Sequence, residues 1–186
     1  MSSLGSSEKR LLLAIARQAV NKAVQSGESL EKFSNDGVLS RPGGAFVTLH
    51  YHRRLRGCVG QLPSKDPLAA VVAHCAKSAA LEDPRFEAVR LDELPGIEIE
   101  LSVLSQLANA TQQEIEPGKH GLIVSCGWKR GVLLPQVATQ FHWDAERFLE
   151  ETCAKAGLAR NAWKDSETQI QTFTAEVFSE AEFQAT

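Results

Sequence analysis

The sequence predicts an α+β fold, and three features of its pattern support this class. Segments rich in β-branched and aromatic residues occur in neighbouring pairs, as in antiparallel hairpins. Each pair precedes one amphipathic or apolar helical segment and then a third strand, unlike the regular alternation of a doubly wound parallel sheet. Elements that begin at residues 44, 55 and 66 recur at residues 121, 131 and 144, about 77 residues later. We therefore expect a single domain over residues 1–186, in which two related strand-strand-helix-strand halves, at about 40–105 and 118–180, pack as one body with an extra N-terminal helix.

The extra helix is predicted over residues 7–26. Apolar residues recur at helical spacing between Leu11 and Val24, Ser7 is a suitable N-cap, and Gly27 is a typical residue to end a helix. We expect this helix to cover an apolar face of a sheet.

A hairpin follows the Pro-Gly-Gly break at residues 42–44. Residues 45–52 have the composition of a strand, Arg53 and Arg54 are placed in the turn, and residues 55–62 return as the second strand. Two glycines lie inside that second strand, which indicates a bulge or a close approach by another part of the backbone.

A buried helix and a third strand complete the first half. Asp66 and Pro67 form a helix start, and the nearly all-apolar residues 68–76 predict a buried helix with His74 in the core. Residues 97–103 alternate between apolar and polar side chains, so that Glu98 and Glu100 share one face of a strand. That face is expected to meet solvent or to line a site.

The second half has the same order of elements. Residues 121–126 and 131–134 predict a hairpin with its turn at 127–130, residues 144–156 predict a helix ended by Gly157, and residues 169–178 predict a closing strand.

The composition is that of a soluble globular protein. The chain has 186 residues, 43% of them hydrophobic and 23% charged, and a chain of this size forms a core without disulfides or metal. The 20 basic and 23 acidic residues give a net charge of −3, which argues against binding to nucleic acid or membranes through bulk charge. The apolar run at residues 11–16 stops at Arg17 without a cleavage site, so we expect a cytoplasmic protein.

Candidate functional groups concentrate at residues 55–60, where Arg56, Gly57, Cys58 and Gly60 fall close together. In one interpretation, the glycines open the backbone around Cys58, and Arg56 favours the thiolate or holds an anionic substrate. In the other, Cys58 is a small core residue of a bulged strand, which is usual for a cysteine without a defined base. Arg85, in the run Asp-Pro-Arg-Phe, either faces an anion or belongs to a rigid structural turn.

A metal site is conceivable but incomplete. His50 and His52 would share one face of a strand near Cys58, as metal ligands do in several β-folds. Spacing places no fourth ligand, and no phosphate-cradling glycine motif occurs. We therefore expect no metal and no cofactor.

A catalytic cysteine would need a base that a third group orients. Spacing alone does not select among the candidate bases and carboxylates, which are His50, His52, His120, His142, Glu98 and Glu100.

Six blocks of the sequence, in order, closely resemble the AMMECR domain family, also called AmmeMemoRadiSam system protein A. They are Leu55-Arg56-Gly57-Cys58-Val59-Gly60, Asp83-Pro84-Arg85-Phe86, Ile99-Glu100-Leu101-Ser102-Val103-Leu104, Lys119-His120-Gly121-Leu122, Leu133-Leu134-Pro135-Gln136-Val137 and Lys155-Ala156-Gly157-Leu158. The resemblance runs from about residue 45 to 178 and implies an α+β fold of two related halves. It also implies an association with a Memo-like protein and a radical S-adenosylmethionine protein.

Two functional hypotheses follow. The first, which we favour, is a binding or accessory module whose surface is shaped by Arg56, Gly57, Gly60 and Arg85, because no complete catalytic set can be identified. The alternative is a cysteine-dependent enzyme with Cys58 as nucleophile or redox thiol, and with His120 and Glu100 as the candidate base and carboxylate.

Overall fold

The computed structural model of the chain describes residues 4–30 and 36–184. It consists of helices and two four-stranded antiparallel sheets, so the α+β prediction is confirmed. The chain divides into two compact units, the first formed by Met1–Leu104 with Glu176–Thr186 and the second by Ser105–Ala175. No helix in the described ranges is long and apolar enough to cross a membrane.

The helices and strands follow one another along the chain as α1 (Ser6–Ser26), β1 (Gly44–Tyr51), β2 (Arg54–Gln61), α2 (Leu68–Leu81), β3 (Ile97–Leu104), β4 (Ala108–Asn109), β5 (Gly121–Cys126), β6 (Lys129–Leu133), α3 (Pro135–Gln140), α4 (Ala145–Lys155), β7 (Gln169–Phe173), β8 (Ala175–Ser179) and α5 (Ala181–Gln184).

The sheet of the first unit has the strand order β2-β1-β3-β8, which places β2 at an edge. One face packs against α1 and α2, and its side chains, such as Val47, Leu49 and Ile99, are fully buried. Residues of the opposite parity, such as Thr48 and Glu100, are only half-buried and define the second face. The predicted alternation of β3 is thus confirmed, and its carboxylates lie on the face turned away from the helices.

The sheet of the second unit has the order β4-β7-β5-β6, and α4 packs against β5 and β6. In both sheets the first strand of the hairpin is central. It pairs with the second hairpin strand on one side and, on the other, with the strand that follows the helix. The core of the second unit includes Phe148, Leu149 and Leu122, which are completely buried.

Two predicted boundaries in the first unit are wrong. Gly5, not Ser7, is the N-cap of α1, and the Glu8 carboxylate accepts a hydrogen bond from the Gly5 N–H at 2.7 Å. The hairpin turn lies at His52 and Arg53, whose φ angles are 49° and 62°. The stop at Gly27, which has a φ of 73°, is confirmed.

The second unit corrects three further expectations. The hairpin turn is shorter than predicted, because Cys126 pairs with Lys129. The closing strand over 169–178 is in fact two strands, β7 and β8, which belong to different sheets. The helix α3 was not predicted, although Pro135 at its start is a residue well suited to begin a helix.

Candidate functional site

Cys58 and Glu100 lie in one row across the first sheet. Thr48 of the central strand β1 is the direct partner of Cys58 on β2 and of Glu100 on β3, so the three side chains share the face turned away from the helices. The Thr48 Oγ1 hydroxyl donates to the Cys58 Sγ at 3.3 Å. Two strand spacings, roughly 10 Å, separate the Cα atoms of Cys58 and Glu100. The sheet therefore brings the two candidates to one face with a threonine between them.

The backbone of Cys58 is held by an ion pair whose carboxylate is buried. Because β2 is an edge strand, the N–H and C=O of Cys58 point away from the sheet, and they bond to Asp83 Oδ2 at 2.8 Å and Arg85 Nη2 at 3.1 Å. Arg85 also donates to both carboxylate oxygens of Asp83, at 2.9 and 2.7 Å. We call this arrangement the Asp83–Arg85 clamp.

The clamp has a strong electrostatic basis. The Asp83 side chain is only 3% exposed, and its hydrogen bonds to Arg85 hold the pKa of the carboxyl well below its usual range. The Arg85 side chain is 55% exposed, so one part of the guanidinium fixes Cys58 while another part faces solvent. The sequence allowed Arg85 either to face an anion or to belong to a rigid structural turn, and its contacts with Asp83 are those of a rigid turn.

The guanidinium of Arg56 is bonded to other residues of the first unit. It lies at the bulge where the pairing of β2 with β1 shifts by one residue. Its guanidinium donates to both oxygens of Glu93, at 2.8 and 2.9 Å, and to the carbonyls of Glu87 and Ala88. These bonds occupy four of the five N–H groups of an arginine. The pair lowers the pKa of Glu93 and fixes the segment 87–93 to the edge strand.

Gly57 and Gly60 meet different neighbours, and the expected close approach is confirmed at Gly57. A Cβ atom at Gly57 would lie 2.1 Å from the carbonyl oxygen of Ala79 in α2. At Gly60, a Cβ atom would lie 2.1 Å from the ring of Phe46. One glycine thus lets the helix backbone approach the strand, and the other makes room for an aromatic ring.

His120, the candidate base, belongs to the second unit. It immediately precedes β5, and its Nδ1 accepts a hydrogen bond from the Glu116 N–H at 3.1 Å. Cys58 and Glu100 belong to the first unit, where their shared face also carries His50.

The predicted positions of two other histidines are wrong. His52 is in the turn and not in the strand, so it does not share a strand face with His50. His74 is exposed on α2 and not in the core. Within residues 4–30 and 36–184, no group of three or more His, Cys, Asp or Glu side chains is arranged to hold a metal ion.

Thr48 and Glu93 are the contacts of the block at residues 55–60 that sequence reasoning missed. The bond from the Cys58 N–H to Asp83 was also not predicted, because 25 residues separate the two in the sequence. The available signal for Asp83 was its place beside a proline and an arginine, a combination typical of ordered turns. Glu93 carried no local signal, because 37 residues separate it from Arg56.

These features define a class: an α+β protein with two antiparallel-sheet units and a cysteine-bearing edge strand fixed by two internal ion pairs. The chain belongs to the AMMECR1 family, whose model matches residues 13–178. This agrees with the family resemblance of the six sequence blocks.

Relatives and a solved structure support the assignment over nearly the whole chain. A protein of Methanothermobacter thermautotrophicus is 40% identical over 186 residues, covering 95% of this chain and 96% of the relative. Protein PF1979 of Pyrococcus furiosus is 40% identical over 181 residues, with coverages of 91% and 86%. The crystal structure of the uncharacterized protein PH0010 from Pyrococcus horikoshii is similar with a TM-score of 0.81 and 37% identity, covering 91% of this chain and 89% of that one.

Proposed function

We propose that this AMMECR1-family chain is a binding or accessory module that acts with a Memo-like protein and a radical S-adenosylmethionine protein. The observation that carries the proposal is that the polar groups of the block at residues 55–60 are used within the first unit. Arg56 is engaged by Glu93, and the backbone of Cys58 is engaged by the Asp83–Arg85 clamp. Groups that are already paired are suited to shaping a surface and poorly suited to binding a reacting substrate.

The surface that these bonds shape has two exposed apolar residues, one of which lies beside unpaired arginines. Leu55 is 43% exposed on the edge strand, and Leu91 is 60% exposed in the segment that Arg56 fixes. Arg53 and Arg54 are exposed beside Leu55 and form no ion pair with any residue of the described ranges. Exposed large apolar side chains beside unpaired charge are typical of protein contact surfaces, and here they favour a partner segment that is acidic and apolar.

The test is direct binding of each purified partner, measured by isothermal titration calorimetry. Replacing Leu91 by Gln should weaken binding of the Memo-like or the radical S-adenosylmethionine protein by about tenfold or more, as for an apolar anchor at the centre of an interface. Leu11→Gln is the matched control, since Leu11 is exposed on α1, at 43%. Failure of both proteins to bind, or equal weakening by Leu11→Gln, would contradict the proposal.

A second candidate function is supported by the setting of the Cys58 thiol. Burial raises the pKa of Cys75 to about 12 and also raises that of Cys153, so these thiols are poor nucleophiles. Cys58 is only partly buried, and it shares a sheet face with His50 and Glu100. A cysteine-dependent enzyme is the alternative, and the reactivity of this thiol distinguishes the two.

A further inference from the structure

The first unit contains a groove between the C-terminal half of α1 and the segment that leads into β3. Its volume is about 470 Å³, and its walls include Arg17, Asn21, Gln25, Leu94, Pro95 and Ile97. This volume lies within the range of roughly 300–1,000 Å³ that is usual for ligand sites. None of these residues belongs to the block at 55–60 or to the surface around Leu91.

The α1 wall of the groove is a regular row of polar side chains. Arg17, Asn21 and Gln25 are four residues apart and so form one ridge of the helix. Successive members of the row are about 6 Å apart along the helix axis. The amides of Asn21 and Gln25 make no hydrogen bond with the described part of the chain, although each can both donate and accept.

Arg17 closes one end of the row without adding net charge. Its guanidinium donates to both carboxylate oxygens of Glu180, through Nε to Oε1 at 2.9 Å and through Nη2 to Oε2. Nη2 also donates to the carbonyl of Ile97 at 2.7 Å. Glu180 also accepts a hydrogen bond from the backbone N–H of Ile99. The groove therefore offers hydrogen-bonding amides beside a neutralised ion pair, which favours an uncharged polar ligand.

The opposite wall is apolar. Leu94 and Pro95 form a 3-10 turn immediately before β3, and Ile97 is the first residue of the strand. Leu94 is partly buried against the core, so this wall is supported from behind. A ligand in the groove would meet amides on one side and aliphatic side chains on the other.

We propose that this groove binds an extended peptide segment of another protein. In an extended chain, alternate peptide groups recur every 6.6 Å or so, close to the spacing of about 6 Å in the α1 row. In such a chain the N–H and C=O of one residue point to the same side, so Asn21 and Gln25 can each bond both groups of one residue, while side chains of the peptide pack on Leu94 and Pro95. A helical peptide is unsuited, because its backbone groups are already bonded internally. The site is separate from the surface assigned to the proposed function and does not depend on it.

The first experiment is selection of a phage-displayed library of random heptapeptides on the immobilised full-length protein. For the Asn21→Ala, Gln25→Ala double variant, the dissociation constant of the selected peptides should rise by about tenfold or more, because several hydrogen bonds are lost. Alanine is the best helix former, so α1 should remain intact. Gln18→Ala is the control, since Gln18 is an exposed amide of α1 outside the groove.

The second experiment tests the extended conformation. N-methylation of a selected peptide at each position in turn should weaken binding at alternate positions only, since only the N–H of every second residue points towards α1. Amide chemical shifts of the protein should change around residues 17–25 and 94–97 on titration with the peptide. Failure to select any peptide, equal binding by the double variant, or a loss without a two-residue period would overturn the proposal.

Discussion

Asp83 links the ionisation of one carboxyl to the geometry of the edge strand. Its carboxylate accepts from the Cys58 N–H and from the backbone N–H, Nε and Nη2 of Arg85, while being almost inaccessible to solvent. Its pKa in the folded protein is lower than in the unfolded chain, chiefly through the Arg85 hydrogen bonds. The stability that it contributes is therefore complete above the unfolded pKa of about 3.9 and is lost as the pH falls through the lower folded value.

The Asp83→Asn variant should be less stable than the wild type by about 1–2 kcal/mol at pH 7, since a charge-assisted pair is lost while Arg85 remains partly solvated. The difference in unfolding free energy should shrink below about pH 4, where the wild-type carboxyl also becomes protonated in the unfolded chain. Urea unfolding between pH 7 and pH 3 measures both effects.

Asp92→Asn is the control for this measurement, because Asp92 pairs with Arg90 while 69% of its side chain is exposed. We expect no measurable change in stability there. A pH-independent loss at Asp83, or an equal loss at Asp92, would show that the buried charge is not the cause.

The Cys58→Ala variant, which lacks only the thiol, distinguishes the two functional hypotheses. If the thiol is structural, the variant should lose about 1 kcal/mol of stability, through its packing and its contact with Thr48, and should retain partner binding. Iodoacetamide labelling near neutral pH, followed by peptide mass mapping, should then show no preference for Cys58 over Cys126, which is also partly buried. Selective labelling of Cys58 near neutral pH would contradict the structural role and favour the enzyme hypothesis.

At the scale of elements, each of the two sheets has glycines at positions where a side chain would clash with a neighbour. Gly131 of β6 approaches α4 as Gly57 of β2 approaches α2: an added Cβ would lie 2.4 Å from the Thr152 carbonyl oxygen. Gly121 faces the ring of Phe173, at 2.3 Å from an added Cβ, as Gly60 faces Phe46. In each sheet one glycine admits the backbone of a helix and another admits an aromatic ring.

The two glycines of β2 should respond differently to alanine. Gly57→Ala pushes against the backbone of α2 and should lower the free energy of unfolding by about 3 kcal/mol. Gly60→Ala meets only a side chain and should lower it less, with recovery in combination with Phe46→Leu. Urea unfolding of the single and double variants tests this. If Phe46→Leu restored the stability of the Gly57→Ala variant equally well, the assignment of Phe46 as the neighbour of Gly60 alone would be wrong.

For the molecule as a whole, the positions of the histidines predict independence from metal. His50 lies on a sheet face, whereas His52 lies in the hairpin turn. We expect the purified protein to contain well under one zinc per chain, and its thermal unfolding temperature to be unchanged by EDTA. Elemental analysis and calorimetry measure the two quantities. Stoichiometric zinc whose removal unfolds the protein would contradict the expectation.

Local periodicity was sufficient to predict much of the fold. The apolar spacing of α1, the alternation of β3 and the glycines that end α1 and α4 are properties of short segments, and the structure confirms them. The division of residues 169–178 between two sheets depends on distant partners: Phe173 pairs with Gly121, whereas Phe178 lies in the core of the first unit. The turn at His52 was missed because two non-glycine residues adopt left-handed conformations there.

The candidate site was predictable to the same degree. The block at residues 55–60 stands out because an arginine, a cysteine and two glycines are close in sequence. The partners that determine its behaviour, Asp83 for Cys58 and Glu93 for Arg56, lie in a loop whose position only the folded chain defines. Spacing could therefore locate the block, but it could not show that its polar groups are already paired.

The Asp83–Arg85 clamp has a further consequence for self-association. An edge strand with free N–H and C=O groups is a template on which a strand of another molecule can add, and proteins commonly block such edges. Here an aspartate and an arginine occupy both outward groups of Cys58, in the place that a neighbouring strand would take. Asp83→Asn should therefore form soluble oligomers or aggregates at high protein concentration, detectable by light scattering, while Asp92→Asn remains unaggregated. A chain without this side-chain pair would be prone to intermolecular sheet formation at the strand that carries its most distinctive sequence.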